Sequence, residues 1–143
     1  MLFRSEFLEK WAIDIPDYAL ALAEKFWPGP MTLILKRSKI AKNFVTGGQE
    51  SVAIRYPRND VALSVLKKFH KLGGQGLAAP SANIFGAVSP TDALSVFEEL
   101  GGSLKVNLDF ILNGGSSSIG IESTIIRCIS QEDRKSTRLN SSH

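Results

Sequence analysis

Two prolines bracketing a glycine, Trp27-Pro28-Gly29-Pro30, constrain this chain more than any other feature, because no helix can run through them. The preceding segment, IDIPDYALALAEKFW, reads as a helix with Asp14 as its N-cap, Pro16 in its first turn and Pro28 forcing the stop. After the turn the backbone changes type: MTLILK (Met31 to Lys36) reads as a strand. SVAIRYP (Ser51 to Pro57), entered through Gly47-Gly48, is a second strand. From Asn59 to Leu72, the residues Val61, Val65, Leu66, Phe69 and Leu72 fall at helical spacing, and Gly73 supplies the stop. GLAAPS (Gly76 to Ser81) reads as a short buried strand that runs into the polar loop SANIFGAVSP. Ser89-Pro90-Thr91-Asp92 predicts an N-cap with proline at the first helical position, opening a helix that ends before Gly101-Gly102. VNLDFIL (Val106 to Leu112) and STIIRC (Ser123 to Cys128) read as two further strands, joined by the loop NGGSSSIGIE. Alternating helices and strands give an α/β class, with a mixed sheet favoured over a purely parallel one.

The chain has 143 residues, 43% of them apolar, which suits one compact domain with a real core and excludes wholesale disorder. No apolar run approaches the ~20 residues needed to span a bilayer, and the first sixteen residues lack a signal-peptide pattern. A single cysteine, Cys128, permits no internal disulfide, so a reducing, cytoplasmic compartment is expected. Residues 133–143, DRKSTRLNSSH, have no apolar periodicity and resemble the translation of a sequencing-library adapter. Residues 1–132 are therefore expected to form the domain and residues 133–143 a disordered foreign tail. Without that tail, 14 basic residues face 13 acidic ones, so net charge offers no argument for a nucleic-acid partner.

Few histidines and one cysteine exclude several chemistries. No cluster has the ligand count of a zinc site. A serine triad would have to use His70, the only histidine before the tail, and LKKFHKLGG reads as the solvated lysine-rich end of a helix. Cys128, in a strand-like run, fits buried packing better than a nucleophile. Gly74 to Ala79 matches the string GxGxxA, but it follows a helix and opens a strand, the reverse of a dinucleotide fingerprint.

Three segments carry groups that can meet an anion. In APSANIFG, Ser81 and Asn83 lie just past an expected strand, although serine and asparagine favour any turn. In VAIRYP, Arg55 interrupts an apolar strand and needs an anionic partner, either a structural ion pair or a ligand carboxylate or phosphate. In NGGSSSIGIESTII, glycines, serines and Glu122-Ser123-Thr124 precede a strand; they form either an oxyanion cradle or a simple connection. Such a set suits phosphate and carboxylate recognition without an acid–base histidine.

The order FWPGPMTLIL, SVAIRYP, GLAAPSANIFGAVSPT, LDFILNGG and GIESTII, over about Asp14 to Cys128, resembles the YrdC-like domain of the threonylcarbamoyl-AMP synthase family. The resemblance implies a twisted, mostly antiparallel mixed sheet with helices around a concave cleft. It also implies an ATP-dependent nucleotidyltransferase that joins L-threonine, bicarbonate and ATP into L-threonylcarbamoyladenylate and releases pyrophosphate. Mg²⁺ would accompany ATP, and the product would pass to the machinery that makes threonylcarbamoyladenosine in tRNA. Carried over by motif, Arg55, Ala79 and Ser123 would bind threonine, while Ser51, Ser81, Asn83, Ser89 and Arg127 would serve ATP, Asn83 by shaping its loop. Family members carry an upstream Lys-Arg segment that binds ATP phosphates, so the chain is expected to be an inactive fragment lacking it. Two other readings stand beside this one. The first is the carbamate-adenylating module of hydrogenase-maturation carbamoyltransferases. The second is a double-stranded RNA or tRNA-binding module built on Lys36, Arg37, Lys39 and Lys42.

Overall fold

The computed structural model describes residues 5–84, 89–117 and 124–129. The chain packs as two units, Met1–Arg58 with Ser123–His143, and Asn59–Glu122.

The first unit contains α1 (Ser5–Trp11), β1 (Ala12–Ile13), α2 (Asp17–Phe26), β2 (Met31–Arg37), α3 (Asn43–Thr46), β3 (Ser51–Arg55) and β4 (Thr124–Arg127). The second strand is the hub of a four-stranded mixed sheet. Along one edge it pairs antiparallel with β3, from Thr32 opposite Arg55 to Lys36 opposite Ser51. Along the other it pairs parallel with β4, from Met31 opposite Thr124 to Ile34 opposite Arg127, and then antiparallel with β1. The expected mixed sheet is present.

Strand alternation sorts the sheet's faces. Met31, Leu33 and Leu35 of β2 are buried, joined by Val52 of β3 and the half-buried Ile54 and Ile126. Leu8 of α1 and Ala19 and Ala23 of α2 complete this core, with Ala12, Trp27, Ala41 and Cys128. Ala19, Ala23 and Trp27 are four residues apart, so they line one side of the helix and its exit. The turn that follows contains a cis Trp27–Pro28 peptide bond. It is tied at both ends: Trp27 Nε1 donates to the Met31 carbonyl (2.7 Å), and Gly29 N donates to the Tyr56 carbonyl (2.9 Å). A Cβ on Gly29 would overlap the Phe26 carbonyl oxygen, so no larger residue fits without moving this turn.

Asp14 is not the cap of α2. It lies in the left-handed region at φ 52° and its carboxylate meets Lys36 Nζ at 3.0 Å, while Pro16 is the N-cap. A proline with extended ψ already directs the chain into the helix, and its carbonyl accepts from Ala19 N at 2.9 Å.

The second unit contains α4 (Asp60–Lys71), α5 (Ala93–Leu100) and a 3₁₀ turn (Gly101–Ser103). Asn59 caps α4 by accepting from Ala62 N (3.1 Å), and its amide donates to the Gly114 carbonyl (2.9 Å). Gly73, at φ 90°, ends the helix as expected. The third expected helix starts later than predicted. Asp92, not Ser89, is its cap and accepts from Ser95 N at 2.8 Å. A carboxylate is the better acceptor beside a helix N-terminus, which moves the start past Pro90.

Two expected strands are absent. Gly76–Ser81 is exposed and irregular. Glycine, two alanines and a proline offer little to a ladder, and no described strand lies in this unit to pair with it. Val106–Leu112 is also exposed and begins as a turn, with Asn107 at φ 64°. Asp109 competes with extended structure: its carboxylate accepts from Lys105 N (2.8 Å), and its own N–H donates to the Lys105 carbonyl (3.0 Å).

Candidate functional site

The sheet face opposite the core gathers the expected ligand residues of the first unit. Residues directly opposed across a ladder share a face. Register therefore places Ser51, Ala53 and Arg55 of β3 beside Lys36, Ile34 and Thr32 of β2, and the last two beside Arg127 and Ile125 of β4. None of these residues is buried. Ser51 and Arg55 are separated by four residues of strand, about 13 Å. Arg55 and Arg127 flank β2, two strand spacings apart and offset by two residues, about 12 Å in all. The result is an open face with hydroxyls from Ser51 and Thr32, an apolar floor of Ala53, Ile34 and Ile125, and three cations at its margins.

Arg55 is exposed, which corrects the expectation of a buried guanidinium demanding a partner. Its strand is buried on the Val52 and Ile54 side only, so alternation turns Arg55 outward and removes the desolvation cost. The side chain is nevertheless held, because Nε donates to the Gly29 carbonyl at 3.3 Å. Among the described residues Arg55 forms no ion pair, and its terminal amino groups can meet an external anion. Lys36, by contrast, is paired with Asp14.

The expected residues of the second unit lie in its exposed irregular stretch. Ala79, Ser81 and Ser89 are exposed and Asn83 is half-buried, donating from Nδ2 to the Ile84 carbonyl at 3.2 Å. Ser89 is released from the capping role that sequence pattern assigned to it. Ser123 lies outside the described residues. Sequence reasoning missed Thr32 and Ile34, although the alternation in MTLILK carried the signal, and it missed the Gly29 carbonyl, which no side-chain pattern reveals.

The remaining candidates behave as packing or surface. Cys128 is 1% exposed, and burial pushes its thiol pKa up, partly offset by a hydrogen bond with Tyr18. His70 is exposed in the last turn of α4. Among the described residues no three of His, Cys, Asp or Glu gather as a metal site. No helix among them is long and apolar enough to cross a membrane. Of the four basic residues considered for RNA, Lys36 is paired and Arg37 bonds Glu50 (2.8 Å) and the Ala41 carbonyl (3.0 Å), leaving Lys39 and Lys42 outward.

Comparison with known proteins gives a consistent answer. Residues 1–139 match the Sua5/YciO/YrdC family, whose description reads "Telomere recombination". The threonylcarbamoyl-AMP synthase of Pyrococcus abyssi is 43% identical over 121 residues, covering 85% of this chain and 33% of the relative. That of Bacillus subtilis is 41% identical over 122 residues, covering 85% and 33%. Among solved structures, a double-substitution variant of Pyrococcus abyssi Sua5 superposes with a TM-score of 0.79 at 39% identity, over 91% of this chain and 36% of that one. Pyrococcus abyssi Sua5 complexed with L-threonine gives 0.77 at 40% identity, over 88% and 35%. This chain spans about a third of the length of these relatives. A family match running through nearly every residue, with the sheet architecture of the Sua5 structures, establishes that the chain belongs to the Sua5/YciO/YrdC family.

Proposed function

We propose that this chain contributes the substrate-binding sheet of an L-threonylcarbamoyladenylate synthase, an ATP-dependent nucleotidyltransferase acting in threonylcarbamoyladenosine modification of tRNA. The observation that carries the proposal is the open face on which an anchored Arg55 stands with its terminal amino groups available. A guanidinium fork matches a carboxylate bidentately, as threonine requires. The relatives' names, and the L-threonine bound to a structure 40% identical, support the same substrate.

In this reading the threonine amine takes up carbon dioxide from bicarbonate as a carbamate. A carbamate oxygen then attacks the α-phosphorus of ATP, the new P–O bond forms, and pyrophosphate leaves. Such an in-line displacement depends on alignment and charge neutralisation rather than on a covalent protein nucleophile. Arg55 orients and neutralises the threonine carboxylate, with Ala79 and Ser123 as further threonine contacts. Ser51, Ser81, Asn83, Ser89 and Arg127 serve the nucleotide. Mg²⁺ would enter with ATP as part of the MgATP substrate. A buried free thiol at Cys128 fits a cytoplasmic protein. The RNA-binding alternative is weakened by the local ion pairs of Lys36 and Arg37.

Thermal-shift titration of the chain with L-threonine and MgATP, alone and together, tests this. A ligand at about 100 times its Kd stabilises a binding-competent protein by about 2.7 kcal/mol. The expected result is a threonine-dependent shift that Arg55→Ala abolishes. A cooperative melt that neither ligand moves would refute the reading for this chain. A shift with carbamate and MgATP but none with threonine would favour the carbamate-adenylating module.

A further inference from the structure

Arg55 and Tyr56 are bracketed by a single residue. Gly29 N donates to the Tyr56 carbonyl (2.9 Å), and the Gly29 carbonyl accepts from Arg55 Nε (3.3 Å). Both atoms of Gly29 that can hydrogen-bond are thus committed to consecutive residues at the end of β3. The turn holding Gly29 is fastened by the buried Trp27 Nε1 bond to the Met31 carbonyl. It also closes so tightly on Phe26 that no side chain fits at position 29.

We infer that Gly29 is the positioning residue of the site, and that it dictates how Arg55 takes a carboxylate. The inference rests on the reading of Arg55 as the threonine-carboxylate ligand. A guanidinium can grip a carboxylate side-on, through Nε and one terminal nitrogen, or end-on, through Nη1 and Nη2. Because Nε–H is already given to Gly29, the end-on fork is the one presented. The same bond restrains a long, exposed side chain before ligand arrives, so less rotamer freedom is left to lose on binding. The tight turn therefore does more than end α2: its carbonyl aims the cation.

The test uses the full chain labelled with ¹⁵N-arginine, the Arg55 Nε–H signal being assigned by its loss in Arg55→Lys. Exposed Arg58 serves as the internal reference. In the wild type, hydrogen exchange at Arg55 Nε–H is expected to be several-fold slower than at Arg58, and to stay slow when L-threonine binds. Gly29→Ala should erase that difference and weaken L-threonine about fivefold, which is roughly 1 kcal/mol at 1.4 kcal/mol per decade. Arg55→Lys lacks the Nε donor, so in that background Gly29→Ala should change affinity less than about twofold. Trp27→Phe, which loosens the turn without adding bulk at position 29, is carried in parallel should Gly29→Ala fail to fold. It is expected to act in the same direction. Equal effects of the turn variants in both backgrounds, or release of Nε–H when L-threonine binds, would overturn the inference while leaving the functional reading intact. A wild-type chain that does not bind L-threonine overturns the functional reading, and this inference with it.

Discussion

Leu33→Ala and Ile125→Ala together measure whether the sheet's faces are assigned correctly. Leu33 is 0% exposed in the middle of β2, directly opposed by Ile54 on one side and Ile126 on the other. Truncation removes three carbons, about 2.4 kcal/mol at 0.8 kcal/mol per buried methylene. A cavity closed in by two neighbouring strands cannot collapse fully, so the expected loss is about 3 kcal/mol. For a chain of this length that corresponds to a fall in Tm of about 10 °C. Ile125 is 63% exposed, and its partner Thr32 lies on the open face. Scaling the same transfer figure by its buried third gives about 1 kcal/mol or less. Urea unfolding followed by tryptophan fluorescence reads both, because Trp11 and Trp27 belong to the first unit and report on its core alone. The m-value should be unchanged, so the midpoints carry the comparison. If Ile125→Ala costs as much as Leu33→Ala, the register is wrong by one residue and the candidate site dissolves with it.

Two further outcomes follow from local chemistry. The Ser95 N–H bonded to Asp92 holds that carboxyl below its ordinary value of 3.8. A group whose folded pKa is depressed stabilises the fold above its unfolded pKa and loses that contribution as pH falls through the folded value. The ¹³C-carboxyl titration of Asp92 should therefore have its midpoint below 3.8, and Asp92→Asn should remove one titrating group from the acid limb of unfolding; a midpoint at or above 3.8 contradicts the cap. Cys128, the single thiol, is buried with a raised pKa, so a disulfide reagent should modify it slowly in buffer and rapidly in urea. Rapid modification of the native chain would remove it from the core.

Elements whose signals are local were readable from the residues. The alternation in MTLILK, the helical spacing from Val61 to Leu72 and the stops at Pro28 and Gly73 all have structural counterparts. The short α1 was not anticipated: it turns a single fully buried leucine, Leu8, toward the core from a segment dotted with charges. Val106–Leu112 misled because alternating apolar residues promise a strand only where another strand exists to pair with them. Asn107 and Asp109 offered a turn at less cost. For the site, residue chemistry singled out Ser51, Arg55 and Arg127, but their common face depends on pairing between strands as far apart in sequence as β2 and β4, which no local pattern encodes. The Gly29 carbonyl was invisible for a different reason, since a backbone atom has no sequence signature.

The parity of β3 links the core to the site. Val52 and Ile54 point inward, so Ser51, Ala53 and Arg55 must point outward, and β2 enforces the same division by burying Met31, Leu33 and Leu35. A slip of one residue would carry the Arg55 guanidinium into the apolar layer beside Leu33 and expose Val52 and Ile54 to water. Burying an unpaired cation there costs far more than any single contact on the open face could return. The hydrophobic pattern that stabilises the sheet is therefore also what keeps the arginine available to ligand. Only the last adjustment, the orientation of its guanidinium, is left to the turn at Gly29.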